Sequence, residues 1–162
     1  MKKLILAIIT IGCVVVVSCK KEKQKPVVLT GFYMTATMNS TAGTSTWVGD
    51  PLISKIPNDS LLIKGVNSSD NSSLAFRMPF RGAITYVINA QDDTLTTTAG
   101  GATTVYLLDA TQTNTVTIKQ YDTITKVAQG TFVFHFLRLS GSANASNGVN
   151  FTNGKFSLKL PF

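Results

Sequence analysis

Between Gly130 and Ser140 the chain reads GTFVFHFLRLS, with Phe132, Phe134 and Phe136 at every second position. Successive side chains of an extended strand point to opposite faces, so three phenylalanines on one face demand an apolar layer opposite them. The same period of two recurs upstream. Phe32, Met34, Ala36 and Met38 alternate with Tyr33, Thr35 and Thr37, and Leu74, Phe76, Met78 and Phe80 alternate with residues that include the outward Arg77. SLLIKGVN, AITYVIN, TVYLLDA and NTVTIKQYD read as further strands. After Cys19 no stretch of ten or more residues carries the helical period. The twenty-two threonines, mostly alternating with apolar residues or lying in loops, suit the solvent face of a pleated sheet.

The connections carry their own chemistry. Asn39 to Ser45 and Asn67 to Ser73 are turn-rich. Pro51 and Pro57 predict an irregular connection from Gly49 to Ser60, leaving Thr46-Trp47-Val48 as a short strand. Gln91 to Thr103, QDDTLTTTAGGAT, reads as a long polar loop or a weak ribbon. Asn153-Gly154, flanked by alternating apolar residues, predicts a two-residue hairpin pairing Thr152 with Lys155, Phe151 with Phe156 and Val149 with Leu158. These elements predict an all-β domain: an antiparallel β-sandwich of about eight or nine strands, with a lipocalin-like β-barrel as the alternative.

The N-terminal segment is of another kind. Met1-Lys2-Lys3 is positive, Leu4 to Val17 is apolar apart from Thr10 and Gly12, and the small Ser18 precedes Cys19. This is the layout of a secretory signal. As a helix, Leu4 to Ser18 would reach about 22 Å, short of a hydrocarbon core of about 30 Å. Val16-Val17-Ser18-Cys19 resembles the bacterial lipobox. The resemblance implies cleavage before Cys19, a thioether-linked diacylglycerol on its sulfur and a third acyl chain on its amine. Each buried methylene contributes roughly 0.8 kcal/mol, so two or more chains anchor stably in a membrane. The expected division is a signal peptide over 1–18, a lipidated Cys19 and basic tether over 19–29, and one β domain over 30–162.

That division changes the meaning of the charge. The formal net charge is +7, but Lys2, Lys3, Lys20, Lys21, Lys23 and Lys25 all precede Pro26. From Pro26 onward nine basic residues face seven aspartates, and the basic residues are scattered. A groove that follows phosphates needs clustered Lys and Arg, so nucleic acid is not an expected partner. Cys13 leaves with the signal and Cys19 is acylated, which leaves no thiol for a disulfide or a cysteine-ligated metal.

Catalytic and metal-ligating patterns are not found, and no cofactor is expected. His135 is the sole histidine, and its alternation places it opposite the phenylalanine face. Glu22 is the sole glutamate, so a glycosidase pair would need two aspartates, and Asp92-Asp93 read as a solvated loop. No G-x-S-x-G, phosphate loop, H-E-x-x-H or calcium loop is present, and an enzyme is not expected. Trp47, Tyr33, Tyr86, Tyr106 and Tyr121 are candidates for a ligand-stacking surface, against the alternative that they cap the core. The leading functional expectation is a structural or accessory binding module for a glycan, a peptide or a partner protein. A lipid-binding, lipocalin-like protein is the alternative, and an Asp-dependent hydrolase is the third reading.

Several stretches resemble small uncharacterised lipoproteins of the Bacteroidota, an all-β family. They are Val-Ser-Cys-Lys-Lys after the signal, Trp47 following its turn, and Gly82 leading to Tyr86. Val116 to Asp122, Lys126 to Phe134 and Thr152 to Phe156 extend the likeness. The resemblance implies a location, the cell envelope and its outer membrane, and supplies no chemistry. It also implies O-glycosylation of Ser60, Thr94 and Thr123, where Asp-Ser-Leu, Asp-Thr-Leu and Asp-Thr-Ile fit the phylum's acceptor pattern. Each site is expected in a loop or turn, where the aspartate has an equal reading as an Asx-turn residue.

Overall fold

The computed structural model describes residues 31–89 and 93–162; Cys19, the signal, the tether and Asp92 lie outside the described residues. The described chain forms ten strands and no helix. They are β1 (Tyr33–Ser40), β2 (Gly43–Ile56), β3 (Ser60–Asn67), β4 (Ser72–Pro79) and β5 (Thr85–Val87). They continue with β6 (Thr94–Ala99), β7 (Ala102–Leu108), β8 (Thr115–Asp122), β9 (Val127–Ser140) and β10 (Gly148–Lys159). Burial follows the period of two: β4 buries Leu74, Phe76 and Met78, and β9 buries Phe132, Phe134 and Phe136.

Eight strands run in the order β10-β1-β2-β3-β4-β6-β7-β9, and a β9–β10 ladder returns the last to the first. The sheet is a closed antiparallel barrel, with β8 and β5 extending from β9. The all-β expectation holds, and of the two arrangements weighed from the sequence the chain takes the barrel. Closure follows from long strands that change partner along their length. β2 pairs with β1 through Gly43–Gly49 and then with β3 through Asp50–Ile56. Such stagger is what lets tilted strands close a ring, while the β8–β5 extension ends in an edge at β5.

Two expectations about connections are corrected, and a third is decided between its alternatives. Residues 49–56 are not irregular, because Pro51 belongs to β2 just after the change of partner, where pairing with β1 has ended. Asn153-Gly154 makes no hairpin, because β10 runs unbroken through it. The pair instead forms a bulge: Phe151 faces Phe134 and Gly154 faces Phe132, so two residues of β10 oppose Val133 alone. Asn153 supplies the left-handed backbone, at φ 53°, that either a bulge or a tight turn requires. Of the loop and ribbon readings for the polar stretch, the ribbon holds: Thr94 to Thr103 lie in the β6–β7 hairpin, turned by Gly100 and Gly101 at φ 59° and 80°.

The second edge of β9 forks. β8 pairs with Val127–Val133 and β7 with Phe136–Ser140, which leaves the backbone of His135 between them. Asn114, fully buried, closes this gap. Its Oδ1 accepts the His135 N–H at 2.7 Å, and its Nδ2 donates to the carbonyls of Asp109 at 2.8 Å and Gln112 at 3.2 Å. The Asp109 N–H donates to the His135 carbonyl at 2.8 Å. Asn114→Ala leaves those groups without their partner, so a loss of about 2–3 kcal/mol is expected in urea denaturation.

Asp93 plays a similar part on β4. β6 pairs only with Ser73–Ala75, and beyond that point Asp93 Oδ1 accepts the Arg77 N–H at 2.8 Å. Asp93 is fully buried rather than in a solvated loop.

The interior is packed with rings. Phe134 lies 5.0 Å from Phe76, 5.3 Å from Phe132 and 6.0 Å from Phe136, centroid to centroid. Phe151 stands edge-on to Trp47 at 5.3 Å. All six are almost wholly removed from solvent.

Strand directions sort the loops into two ends. Residues 40–43, 67–72, 99–102 and 140–148 gather at one end, the mouth. The turns at 56–60, 79–85 and 122–127 gather at the other, the base, with Gly31 and Phe162. Residues 31–162 therefore hold a complete core and a closed hydrogen-bond ring of their own.

Candidate functional site

A cup of about 410 Å³ opens at the mouth, within the range typical of small-molecule sites. Met38, Tyr106 and Val149 give it apolar surface, and Thr97, Thr98, Ser142 and Asn144 are among its polar lining. The four mouth loops read STAG, NSSDNS, AGGA and SGSANASNG. Asp70 is their single ionisable residue, and every other side chain is small and uncharged.

Hydrogen bonds hold this rim in place. One guanidinium nitrogen of Arg138, Nη1, donates to the carbonyls of Ser142 and Ala145 at 2.8 Å each and of Ala143 at 3.3 Å. The Thr41 N–H donates to Ser146 Oγ at 3.2 Å, tying the first mouth loop to the last. Trp47 Nε1–H donates to Ser72 Oγ at 2.8 Å, and the Ser72 hydroxyl donates to Asp70 Oδ1. A short relay thus joins the buried indole to the rim carboxylate.

The aromatic candidates do not form one surface. Trp47, Tyr86 and Tyr106 are buried, which corrects the stacking expectation for them. The closed barrel turns one face of β2 and β7 inward, and Trp47 and Tyr106 fall on that face. Tyr86 is satisfied within the wall: its hydroxyl accepts the Arg81 N–H at 2.7 Å and donates to the Gly82 carbonyl at 2.8 Å. Tyr106 reaches the cup. Tyr33 is half-buried on the outer wall beside Lys119 and Lys155, and Tyr121 stacks edge-on against Phe80 at 5.0 Å near the base.

The candidate glycosylation residues also separate. Ser60 follows the exposed Asp59 at the β2–β3 turn, and Thr123 is exposed in the β8–β9 turn. Thr94 lies on β6 next to the buried Asp93, so it is not in the loop expected for it, and the paired strands screen its recognition sequence. Asp122 caps its turn as the Asx reading requires. The Thr125 N–H and hydroxyl and then the Ile124 N–H hold its carboxyl below the usual carboxylate range. Asp109 is lowered likewise, chiefly by the Thr111 hydroxyl and N–H.

Of the described aspartates, Asp70 alone lines the cup, whereas acid–base hydrolysis of the glycosidase type needs two converging carboxyls. Among the described residues no three His, Cys, Asp or Glu side chains stand close enough to hold a metal ion. His135 is half-buried on the outer face with Nδ1 3.3 Å from Asn114 Oδ1. Apart from Tyr106, the cup residues were not singled out by sequence. Their one signal is that four loops share a composition of Ser, Thr, Ala, Gly and Asn, which by itself reads as turn chemistry.

No family model, curated protein or solved structure matches the chain. The chain's own geometry is what bears on its function.

Proposed function

We propose that this is an exported lipoprotein of the cell envelope, acylated at Cys19 and of the Bacteroidota kind, whose barrel mouth binds a neutral, hydroxyl-rich ligand such as the end of a glycan. The observation that carries the reading is the charge-poor cup, which faces away from the end where the chain enters the barrel. Ser, Thr and Asn side chains exchange hydrogen bonds with sugar hydroxyls, and Asp70 adds a stronger acceptor. Met38, partly exposed in the cup, offers an apolar surface to the C–H face of a ring. Loops already tied by Arg138 and Ser146 lose little freedom on binding, which favours affinity.

The lipid-carrier alternative needs an apolar lumen. Here Phe76, Phe132, Phe134, Phe136 and Phe151 occupy the barrel interior, so the mouth is the better site.

The test is an array of neutral oligosaccharides and peptides probed with residues 31–162 and with the Ala99→Trp variant. Ala99 is exposed at the rim, so the indole fills the cup without entering the core. Binding to one or more oligosaccharides, weakened at least about tenfold by Ala99→Trp, is expected. Peptide binding alone, or binding indifferent to the substitution, would count against the mouth as a glycan site.

A further inference from the structure

The base of the barrel differs from the mouth in charge, and its turns carry exposed apolar side chains. Ile124, at the tip of the β8–β9 turn, is 90% exposed, and Phe32, Ile84 and Phe162 are each between a third and a half exposed at the same end. Their proximity rests on the chain's path. The Leu160 N–H donates to the Lys126 carbonyl at 2.8 Å, bringing the C-terminal residues against the β8–β9 turn. Phe162 then reaches Phe80 at 5.1 Å, and Phe80 stacks on Tyr121. Lys55 Nζ sits 5.8 Å from the Phe162 ring centroid. A turn tip carrying a fully presented isoleucine satisfies nothing within the barrel.

The base also carries more cations than anions, although Lys55 Nζ pairs with Asp59 at 3.5 Å. Lys55, Arg81, Lys126 and Lys159 lie on the base turns or the strand ends beside them, against Asp59 and Asp122. The mouth loops carry no Lys or Arg. Projecting apolar side chains with Lys and Arg on the neighbouring turns and strand ends match the layered chemistry of a bilayer surface, acyl chains beneath anionic headgroups. The chain supplies a second argument: residue 31 begins at this same end, and the thirty residues before it include Cys19 and the lysine-rich tether.

We infer that the base of the barrel itself docks on an anionic phospholipid surface, with Ile124 and Phe162 as apolar contacts and the neighbouring lysines and Arg81 against the headgroups. The contact does not depend on acylation. It seats the barrel upright, with the mouth held away from the membrane, and makes Cys19 one of two anchoring elements.

The experiment is co-sedimentation of residues 31–162, which lack Cys19, with vesicles of phosphatidylethanolamine containing about one quarter phosphatidylglycerol. The wild-type barrel is expected to partition onto the vesicles. Ile124→Glu should reduce the partition coefficient about tenfold, and Ile124→Ser by a smaller factor, because methylenes are withdrawn from the acyl boundary. Ile124 packs against little, so circular dichroism should report an intact fold for both. Leu139→Glu, an exposed position near the mouth end of β9, should partition as wild type does. Absence of wild-type binding, equal binding by Ile124→Glu, or an equal loss with Leu139→Glu overturns the inference. Because no acyl chain or oligosaccharide is present, this outcome is independent of the glycan reading.

Discussion

Phe134→Ala is expected to destabilise the barrel by about 4 kcal/mol and to lower the melting temperature by about 12–16 °C. Phe134 is fully buried and touches the rings of Phe76, Phe132 and Phe136, so its removal deletes transfer energy and leaves a void that a closed wall cannot collapse to fill. The size of the effect separates a filled barrel from a carrier. In a hollow lumen the ring would line a cavity and be missed by roughly 1–2 kcal/mol, on the scale of one partly buried side chain. Chemical denaturation read at equilibrium distinguishes the two, and an unchanged m-value would show that the loss is of stability alone.

Gly49→Ala should cost about 3 kcal/mol, an overpacking effect rather than a cavity. A Cβ at Gly49 would stand 2.3 Å from Cη2 and 2.8 Å from Cζ2 of Trp47, well inside contact distance. Gly65 approaches the same ring from β3, where a Cβ would lie 2.6 Å from Cη2. Two glycines on neighbouring strands thus form the slot for the indole's six-membered ring. Trp47→Phe removes the clashing atoms, so in that background Gly49→Ala should cost less than about 1 kcal/mol, a coupling measurable in a double-mutant cycle. Equal costs in both backgrounds would mean that the slot is not what constrains Gly49.

The strands were legible because alternation is a local property. β1, β4, β8 and β9 carry a period of two and β3 and β7 read as short apolar strands, and each is found close to where the sequence predicts it. Closure is not local. It depends on β2 and β9 each serving different partners along their length, and no window of sequence reports a change of partner. Pro51 illustrates the difficulty, since a proline forbidden in a fully paired strand is tolerated where one ladder has just ended. Asn153-Gly154 illustrates another. This bulge and a type I′ turn both use a positive φ, so the dipeptide announces the backbone conformation without saying which element uses it.

The site was less legible than the fold. Trp47 and Tyr106 looked available for stacking because a strand's two faces are equivalent until the barrel decides which is inside. Asp93 sits in a stretch that reads as solvated and Asn114 opens an expected strand, yet both are buried, because interrupted strand edges leave backbone groups that these side-chain acceptors reach. The cup is assembled from loops far apart in sequence, and the closure that brings them together is the property the sequence conceals.

The most direct test of the mouth as the ligand site is the backbone amide spectrum of residues 31–162 titrated with the best-binding neutral oligosaccharide. Saturable shifts concentrated at Thr97, Thr98, Ser142 and Asn144, with Ile124 and Lys126 at the base unmoved, are the predicted result. Shifts centred on the base or on the outer wall at Tyr33 and Lys119, or no saturable shift with any neutral sugar, would contradict it.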